Sequence, residues 1–261
     1  MKTMTPWVGG ARLLVAELLR RFPKHTCYVE VFAGSARMLF EKPRDMSRVE
    51  VINDADDDLI NLFSVVKDRK GFRGFIKGLS WLLTSRTQFE RFRRLEISDL
   101  TPVQQALRTF YLLKVGFGGK LNRPCFAYSA RQKSRLNIDA IVQTLRAIHR
   151  RLSQVYIENL DFEDCIKKYD RRETFFYCAP PHYGLRNHRF SMNEKDHIRL
   201  QRVLGGIKGS YLLTYNDHPE IHKLYKGFIA EKVMTRYCIG QQATGKWDRS
   251  RILMITSAPC G

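Results

Sequence analysis

The sequence predicts an α/β fold with a mostly parallel sheet, an antiparallel C-terminal hairpin strand and a helical insert. Three observations support this prediction. Strand-like apolar runs alternate with segments of helical periodicity in the first 67 residues, an order typical of parallel sheets with helices on their faces. Helical periodicity dominates the next stretch, to about residue 151. Strand-like runs then resume, and the last two read as a hairpin.

The first 67 residues predict two strands that alternate with helices. A Pro-Trp-Val-Gly-Gly turn precedes the amphipathic stretch ARLLVAELLRRF, which predicts a helix. The run CYVEVFAG (27–34) predicts the first strand, and ARMLFEK the helix after it. The run VEVIND (49–54) predicts the second strand, and DDLINLFSVVKD a longer helix.

The helical insert spans residues 68–151, between a main body formed by residues 1–67 and 152–261. Within the insert, Thr101-Pro102-Val103-Gln104 has the residue types of an N-cap, a first-turn proline and a capping box. Later strands are predicted at QVYIEN, ETFFYCAP and GSYLLTYND. The hairpin consists of EKVMTRYCI and RSRILMITSA, joined by GQQATGKWD.

The composition indicates the class of partner and argues against several settings. A formal net charge of +19 favours a polyanionic partner, more often nucleic acid than an anionic membrane. No apolar run approaches the roughly 20 residues of a membrane span, and the N-terminus does not resemble a signal peptide. The six cysteines include no C-x-x-C pair, so we expect free, mostly buried thiols and no metal site. The expected location is cytoplasmic, at the nucleoid.

Notable residues follow five of the predicted strands: Phe32-Ala33-Gly34, Asn53-Asp54, Asp161-Phe162, Ala179-Pro180-Pro181 and Asn216-Asp217. Because the carboxyl ends of parallel strands share one edge of the sheet, these clusters predict a single cleft. Gly34 would let a ligand approach the backbone, and Asp54 could accept hydrogen bonds from ribose hydroxyls. A tight turn followed by an N-cap aspartate would explain the same two residues.

A basic stretch lies inside the insert. Residues 115–136 contain no acid and predict a loop-rich segment on a helical base. Its basic residues are Lys120, Arg123, Arg131, Lys133 and Arg135, and the aromatic residues among them are Phe117, Phe126 and Tyr128. Such a run can be a solvated surface, but this combination favours phosphate contacts and stacking. Two arginines that follow FFYCAPPHYG are also placed for phosphate contacts, Arg186 and Arg189.

In chain order, PWVGG, VEVFAG, VEVINDADDDLINLF, a strand ending in Pro-Pro, and TYND resemble the DNA adenine-N6 methyltransferases. The resemblance is closest to the phage and prophage branch of the DNA adenine methylase family, some of whose members have little sequence preference. It covers nearly the whole chain. It implies a Rossmann-like, S-adenosylmethionine-dependent methyltransferase core (1–67 and 152–261), a DNA-recognition insert (68–151), and double-stranded DNA as partner.

The resemblance also implies which residues bind S-adenosylmethionine. In the family, the cofactor is held by the N-terminal turn, the end of the first strand, an acid after the second strand, and an Asp-aromatic pair. These positions here are Pro6, Trp7, Gly9, Gly10, Ala11, Phe32, Gly34, Asp54, Asp161 and Phe162. The family turn continues with lysine, where this chain has Ala11.

The family's catalytic motif is Asp-Pro-Pro-Tyr, and the corresponding residues are Ala179, Pro180, Pro181 and His182. In the family, the aspartate and the carbonyl of the next proline accept the two amine protons of a flipped adenine, and the aromatic residue stacks on the base. The side chain of Ala179 cannot accept a hydrogen bond. His182 has a flat face that could stack, as could Tyr183. The chain is therefore expected to bind cofactor and DNA but to transfer methyl groups slowly or not at all.

Several alternatives stay open at the level of sequence. The alanines at positions 11 and 179 are compatible with an engineered change, with natural decay and with a divergent active subfamily. A DNA-binding protein that kept the fold but not the chemistry is the main alternative function. An RNA adenine methyltransferase shares the motif but fits the insert less well. Tyr215-Asn216-Asp217 matches a pocket-lining motif of the family, although a helix N-cap at Asp217 is an equally good local account.

Overall fold

A seven-stranded sheet forms the centre of the computed structural model, which describes residues 1–7, 13–185, 189–236 and 249–257. Its strands are β1 (Cys27–Glu30), β2 (Val49–Asn53), β3 (Tyr156–Glu158), β4 (Thr174–Cys178), β5 (Ser210–Asn216), β6 (Ile229–Arg236) and β7 (Arg249–Thr256). Their order is β3-β2-β1-β4-β5-β7-β6. The pairs among β1–β5 are parallel, and β7 is antiparallel to both β5 and β6. The predicted fold class is confirmed.

The helices in the described part of the chain are α1 (Val15–Leu19), α2 (Arg37–Glu41), α3 (Asp57–Lys67), α4 (Arg69–Leu79), α5 (Arg86–Arg94), α6 (Pro102–Val115), α7 (Ile138–Leu152), α8 (Phe162–Tyr169), α9 (Glu194–Gly205) and α10 (Pro219–Leu224). Most follow the predicted periodicity. Helix α1 is shorter than its amphipathic run, because turns occupy residues 13–14 and 20–21. The joining segment of the hairpin, residues 237–248, lies outside the described residues.

Alternating side chains of the central strands pack on the two faces of the sheet. In β4, Phe175 and Tyr177 belong to one core cluster, whereas Phe176 and Cys178 belong to the other, as the two-residue period of a strand requires. The first cluster continues into the helices of the insert, for example at Phe110 of α6. The insert therefore extends one face of the core.

A buried ionic cluster joins the end of the insert to the sheet. Glu50 of β2 accepts hydrogen bonds from Arg151 of α7, with Oε1 2.6 Å from Nη2, and lies 2.7 Å from Nζ of Lys42. All three side chains are at most 10% exposed. Removing one partner from such a cluster leaves an uncompensated buried charge, so these residues fix α7 against β2.

Helix α2 begins without a capping side chain of its own, because its N-cap is Ala36, with a φ of 50°. The buried carboxylate of Glu30 takes that role from β1, accepting the backbone N–H of Leu39 at 2.9 Å and the hydroxyl of Tyr28 at 3.1 Å. Burial raises the pKa of Glu30 to about 7, against the opposing effect of these hydrogen bonds.

Two expectations from composition can be compared with the described residues. Within the described ranges, no helix combines the length and apolar character that a membrane span requires. Four of the six cysteines are described, and all four are free thiols. Cys165 and Cys178 are buried and Cys27 is half-buried, but Cys125 is exposed on the insert loop, where the sequence predicted mostly buried thiols.

Candidate active site at the carboxyl edge of the sheet

The carboxyl ends of the five parallel strands lie along one edge of the sheet, and the five residue clusters follow those ends. After β1 the chain continues outward to β2 and β3, and then returns to β4 on the other side of β1. This reversal of strand order creates a crevice above β1 and β4, which is where ligands bind in open α/β sheets.

The turn after β1 is tight and requires glycine at position 34. Gly34 has a φ of 49°, in the left-handed region that other residues rarely adopt. A Cβ atom at this position would lie 2.5 Å from Nε1 of Trp7. The indole of Trp7 thus packs directly on Gly34, and two of the motifs predicted to hold the cofactor are brought together.

Asp54 links the ends of β1 and β2. Its Oδ2 accepts the N–H of Gly34 at 2.8 Å, and its Oδ1 accepts the N–H of Asp56 at 3.0 Å. Burial raises the pKa of Asp54, while these hydrogen bonds oppose the shift. The alternative of an N-cap at Asp54 is wrong, because the N-cap of α3 is Asp56, which accepts the N–H of Leu59. Asp54 instead shapes the β1 turn.

An aromatic pair lies beside this turn. The rings of Phe32 and Phe162 have centroids 5.7 Å apart, so side chains that follow β1 and β3 lie next to each other at this edge. The guanidinium of Arg199 lies over the Phe162 ring, 4.3 Å from its centroid. Asp161 caps α8 through the N–H of Glu163 and accepts a hydrogen bond from Arg199 at 2.7 Å. The sequence itself indicated no role for Arg199.

The segment from Ala179 to His182 follows β4 directly. Neither proline has an N–H to donate, so strand pairing stops at Cys178. Pro180 is buried, and Ala179, Pro181 and His182 are half-buried. The side chain at position 179 is a methyl group that packs against the core cluster shared with the insert. At this position the segment offers backbone carbonyls but no side-chain acceptor.

Asn216, at the end of β5, holds the segment after the two prolines. Its Oδ1 accepts the N–H of Tyr183 at 3.0 Å, and its Nδ2 donates to the carbonyl of Tyr183 at 3.2 Å. One side-chain amide therefore satisfies both backbone groups of the residue that follows His182. The carboxamide of asparagine offers a donor and an acceptor side by side, which suits this pairing with one backbone unit. The sequence marked Asn216 as pocket-lining but did not indicate the clamp.

The side chain of Tyr183 packs against two histidines, of which His197 is buried and His218 is half-buried. Its ring centroid lies 5.0 Å from that of His197 and 4.7 Å from that of His218. His197 Nδ1 lies 2.7 Å from the hydroxyl of Tyr215, and burial lowers the pKa of His197. The sequence indicated no role for either histidine. Their positions in helical segments gave no signal of this contact.

The local account of Asp217 as an N-cap is also wrong. The N-cap of α10 is His218, whose side chain accepts the N–H of Glu220 at 3.2 Å. Asp217 lies 2.5 Å from Nε2 of His222 and 3.2 Å from Nζ of Lys232. These contacts lower the pKa of Asp217, with the hydrogen bond from His222 as the largest cause. Asp217 therefore ties β5 to α10 and β6.

The basic loop of the insert reaches the same edge. Gly119, with a φ of 64°, lies against the N-terminal turn, where a Cβ atom would be 2.7 Å from the carbonyl of Pro6. Tyr128 is 82% exposed and Phe117 61% exposed. Of the five basic residues predicted in this loop to contact DNA, Lys120 is half-buried and the other four are exposed. Within the described residues, no ion pair neutralises any of these five cations, which are Lys120, Arg123, Arg131, Lys133 and Arg135.

Helix α5 provides a further basic surface that sequence reasoning missed. An open groove of about 640 Å³ lies along this helix and is lined by Arg86, Thr87, Glu90, Arg91, Arg94 and Leu95. The guanidinium of Arg86 also lies over the rings of Phe126 and Tyr128, at 5.0 and 5.5 Å from their centroids. The clustering of arginines between residues 86 and 94 was the available signal.

Some predicted site residues are not placed with the others. Gly9, Gly10, Ala11 and Arg186 lie outside the described residues. Arg189 is described, and it contacts carboxylates at the start of α3, with Nη1 2.5 Å from Oδ2 of Asp58. The roles that the resemblance implies for individual site residues stay predictions.

Comparison with known proteins identifies the family to which this site belongs. Residues 7–239 match the profile of the D12 class of N6 adenine-specific DNA methyltransferases. The match covers most of the chain, from Trp7 through the helical insert and the segment after β4. The chain belongs to this family, whose members methylate adenine in DNA.

Relatives at low identity agree with this assignment. The chain is 24% identical over 286 residues to the type II methyltransferase M1.LlaDCHI of Lactococcus lactis subsp. cremoris, covering 97% of this chain and 95% of the relative. It is 24% identical to the DNA adenine methylase of Haemophilus influenzae, covering 97% and 92% of the two chains. It is 22% identical to the retron Ec67 DNA adenine methylase of Escherichia coli, covering 100% and 93%.

Proposed function

We propose that this protein uses S-adenosylmethionine to methylate the N6 amine of adenine in duplex DNA, with weak sequence preference, and that Ala179 makes the reaction slow. The convergence of Pro6 and Trp7, the β1 turn and the segment after β4 at one edge carries this proposal. The uncompensated basic loop beside that edge supports DNA as the substrate.

The residues at the edge suit the proposed cofactor. S-adenosylmethionine supplies a methyl group on a sulfonium centre, together with an adenine ring and a ribose. Phe32 and Phe162 offer half-buried and buried aromatic surface against which an adenine ring could pack. Asp54 is half-buried, and its carboxylate oxygens retain lone pairs beyond those used by Gly34 and Asp56, so it could accept from ribose hydroxyls.

The segment after β4 would act on the target base. A target adenine must leave the duplex before its amine can reach this edge. The Pro180 carbonyl would accept one amine proton, and His182 or Tyr183 would stack on the ring. Ala179 leaves the second amine proton without a side-chain acceptor. By analogy with a deleted hydrogen-bonding group in other active sites, we expect a loss on the order of 10²–10³ in rate.

The first prediction follows from position 179. We expect Ala179→Asp to raise methyl transfer to unmethylated duplex DNA by on the order of 10²-fold or more, because the carboxylate would accept the second amine proton. The measurement is transfer of labelled methyl from S-adenosylmethionine, with both proteins assayed at equal concentration. Equal activity of the two proteins would show that a different group accepts the proton.

A second candidate function is a DNA-binding protein that kept the fold without the chemistry. The methyl side chain at position 179 favours it. If neither the parent protein nor the Ala179→Asp variant transfers methyl groups while both bind duplex DNA, this second function replaces the first. Competition between duplex DNA and structured RNA in the same binding assay distinguishes these two DNA-directed functions from an RNA methyltransferase, which would prefer the RNA.

A further inference from the structure

Arg189 lies against three consecutive carboxylates at the start of α3. Its Nη1 is 2.5 Å from Oδ2 of Asp58, 3.3 Å from Oδ1 of Asp57 and 3.8 Å from Oδ1 of Asp56. The side chains of Asp56 and Asp58 are 5% and 4% exposed, whereas Asp57 is exposed. The Arg189 side chain is 37% exposed, so solvent weakens this ion pair in part, but less than it weakens a pair in which both partners lie on the surface.

Arg189 partly offsets the cost of burying these carboxyl groups. Burial, followed by the charge of Asp54, raises the pKa of Asp56 to about 7, and Arg189 opposes the shift. The backbone N–H of Asp56 donates to Asp54, the residue proposed to hold the ribose. Arg189 therefore favours the charged form of an acidic cluster that adjoins the proposed cofactor site.

The carboxylate of Asp58, which pairs with Arg189, also contacts helix α6 of the insert. Nε2 of Gln105, on α6 of the insert, donates to Oδ1 of Asp58 at 2.7 Å, while Oδ2 faces Arg189. Each oxygen of this buried side chain is thus held by a different part of the chain. Asp58 is a junction between the insert, the start of α3 and the segment that follows the two prolines.

Two described residues beyond the prolines, Tyr183 and Arg189, are held on either side of the crevice, and residues 186–188 between them lie outside the described part of the chain. Tyr183 is held by Asn216 at the end of β5, and Arg189 is held at the start of α3, which follows β2. In the sheet, β1 and β4 lie between β2 and β5. The two anchors therefore lie on opposite sides of the strands where the cofactor and the target base are proposed to meet.

We propose that Arg189 is a positioning residue: it anchors the segment that follows Ala179–His182 to Asp58, so that the base-binding residues are held in register with the insert and the cofactor edge. This inference rests on the proposed function. It assigns the main partner of Arg189 to a carboxylate of the protein, in place of the DNA phosphate that the sequence predicted.

The anchor can be tested without enzymatic activity. Amide hydrogen exchange is measured over residues 193–197, where the N–H groups of Asn193, Asp196 and His197 are hydrogen-bonded, in the DNA-free parent protein and in the variants R189Q and R189K. We expect R189Q to increase exchange in this segment at least tenfold and R189K to restore part of the protection, because lysine can still pair with Asp58. Arg172→Gln, which removes an exposed charge just before β4, is the matched control and should leave exchange unchanged.

The consequence for the reaction is measured in an Ala179→Asp background. We expect R189Q to lower kcat tenfold or more with little change in the salt dependence of DNA binding, since misplacing a positioned segment costs rate more than affinity. A phosphate contact would instead reduce the slope of log binding constant against log salt by about 1. That result, or unchanged exchange in R189Q, would overturn the proposal. Absence of transfer in the background protein would count against the proposed function alone, because the exchange measurement is independent of it.

Discussion

At the residue scale, single buried groups decide how the candidate site is built. Glu30 is 2% exposed and supplies the capping acceptor that Ala36 cannot provide at the start of α2. The turn between β1 and α2, which contains Gly34, is therefore held from both sides, by Asp54 and by Glu30. In the sequence, Glu30 is an acidic residue within the apolar run CYVEVFAG. Such a departure from the apolar pattern indicates a position with a specific polar partner.

The raised pKa of Glu30 makes stability depend on pH. The folded protein binds this proton more tightly than the unfolded chain, in which the pKa lies near 4.5. The free energy of unfolding should therefore fall as pH rises from about 4.5 to about 7. Glu30→Gln removes this titration. We therefore expect the free energy of unfolding of the variant to fall less over this pH range than that of the parent protein, by on the order of 1–3 kcal/mol. Urea denaturation at a series of pH values across this range measures the difference.

The control for this measurement is Glu173→Gln, which changes an exposed glutamate just before β4. Its pH profile should match that of the parent protein. A Glu30→Gln profile parallel to the parent would mean that Glu30 stays charged in the folded protein throughout this range.

At the element scale, the helices of the insert show how local signals set helix boundaries. The predicted capping box of α6 is present, with Oγ1 of Thr101 accepting the N–H of Gln104 and Oε1 of Gln104 accepting the N–H of Thr101 at 2.9 Å. Pro102 occupies the first turn. This helix carries Phe110 and Gln105, so its position matters for both the core and the junction at Asp58.

Loss of this cap should destabilise the protein measurably. We expect Thr101→Ala to lower the free energy of unfolding by about 1 kcal/mol, because the first turn of α6 would lose a side-chain acceptor. Thr144→Ala is the matched control, since Thr144 lies within α7 and donates only to the carbonyl of Ala140, where alanine is a better helix former. Equal destabilisation by the two substitutions would contradict a capping role for Thr101.

At the scale of the whole molecule, the charge of +19 is unevenly compensated. Arg189, Arg199 and Arg151 pair with carboxylates near the sheet, whereas the cations of the basic loop pair with none in the described part of the chain. The exposed aromatic rings of the insert lie among these uncompensated charges. This distribution is typical of a surface that contacts the phosphates of nucleic acid.

DNA binding should accordingly weaken steeply with salt. The triple substitution of Arg131, Lys133 and Arg135 by glutamine should reduce the slope of log binding constant against log salt by about 3, since each phosphate contact contributes close to 1. Binding to duplex DNA of unrelated sequences, titrated between low and physiological salt, provides the measurement. The control is substitution of Arg171 and Arg172 by glutamine. A slope unchanged by the triple substitution would place the DNA elsewhere, with the groove of α5 as the next surface to test.

The fold class, the order of the motifs and the strand ends that form the candidate site follow from the amino-acid sequence alone. They depend on local patterns: apolar runs of strand length, helical periodicity, and the proline pair that ends β4. The cap of α6 could be predicted for the same reason, because a capping box is formed by residues three positions apart.

The partners of the polar side chains depend instead on the tertiary fold. Asp54 bonds to the β1 turn while Asp56 caps α3, and His218 rather than Asp217 caps α10. The clamp of Asn216 on Tyr183 joins residues 33 positions apart, and the pair of Arg189 with Asp58 joins residues 131 positions apart. Neighbouring acids and amides are locally interchangeable, so their roles are fixed by the distant groups that folding brings within hydrogen-bonding distance.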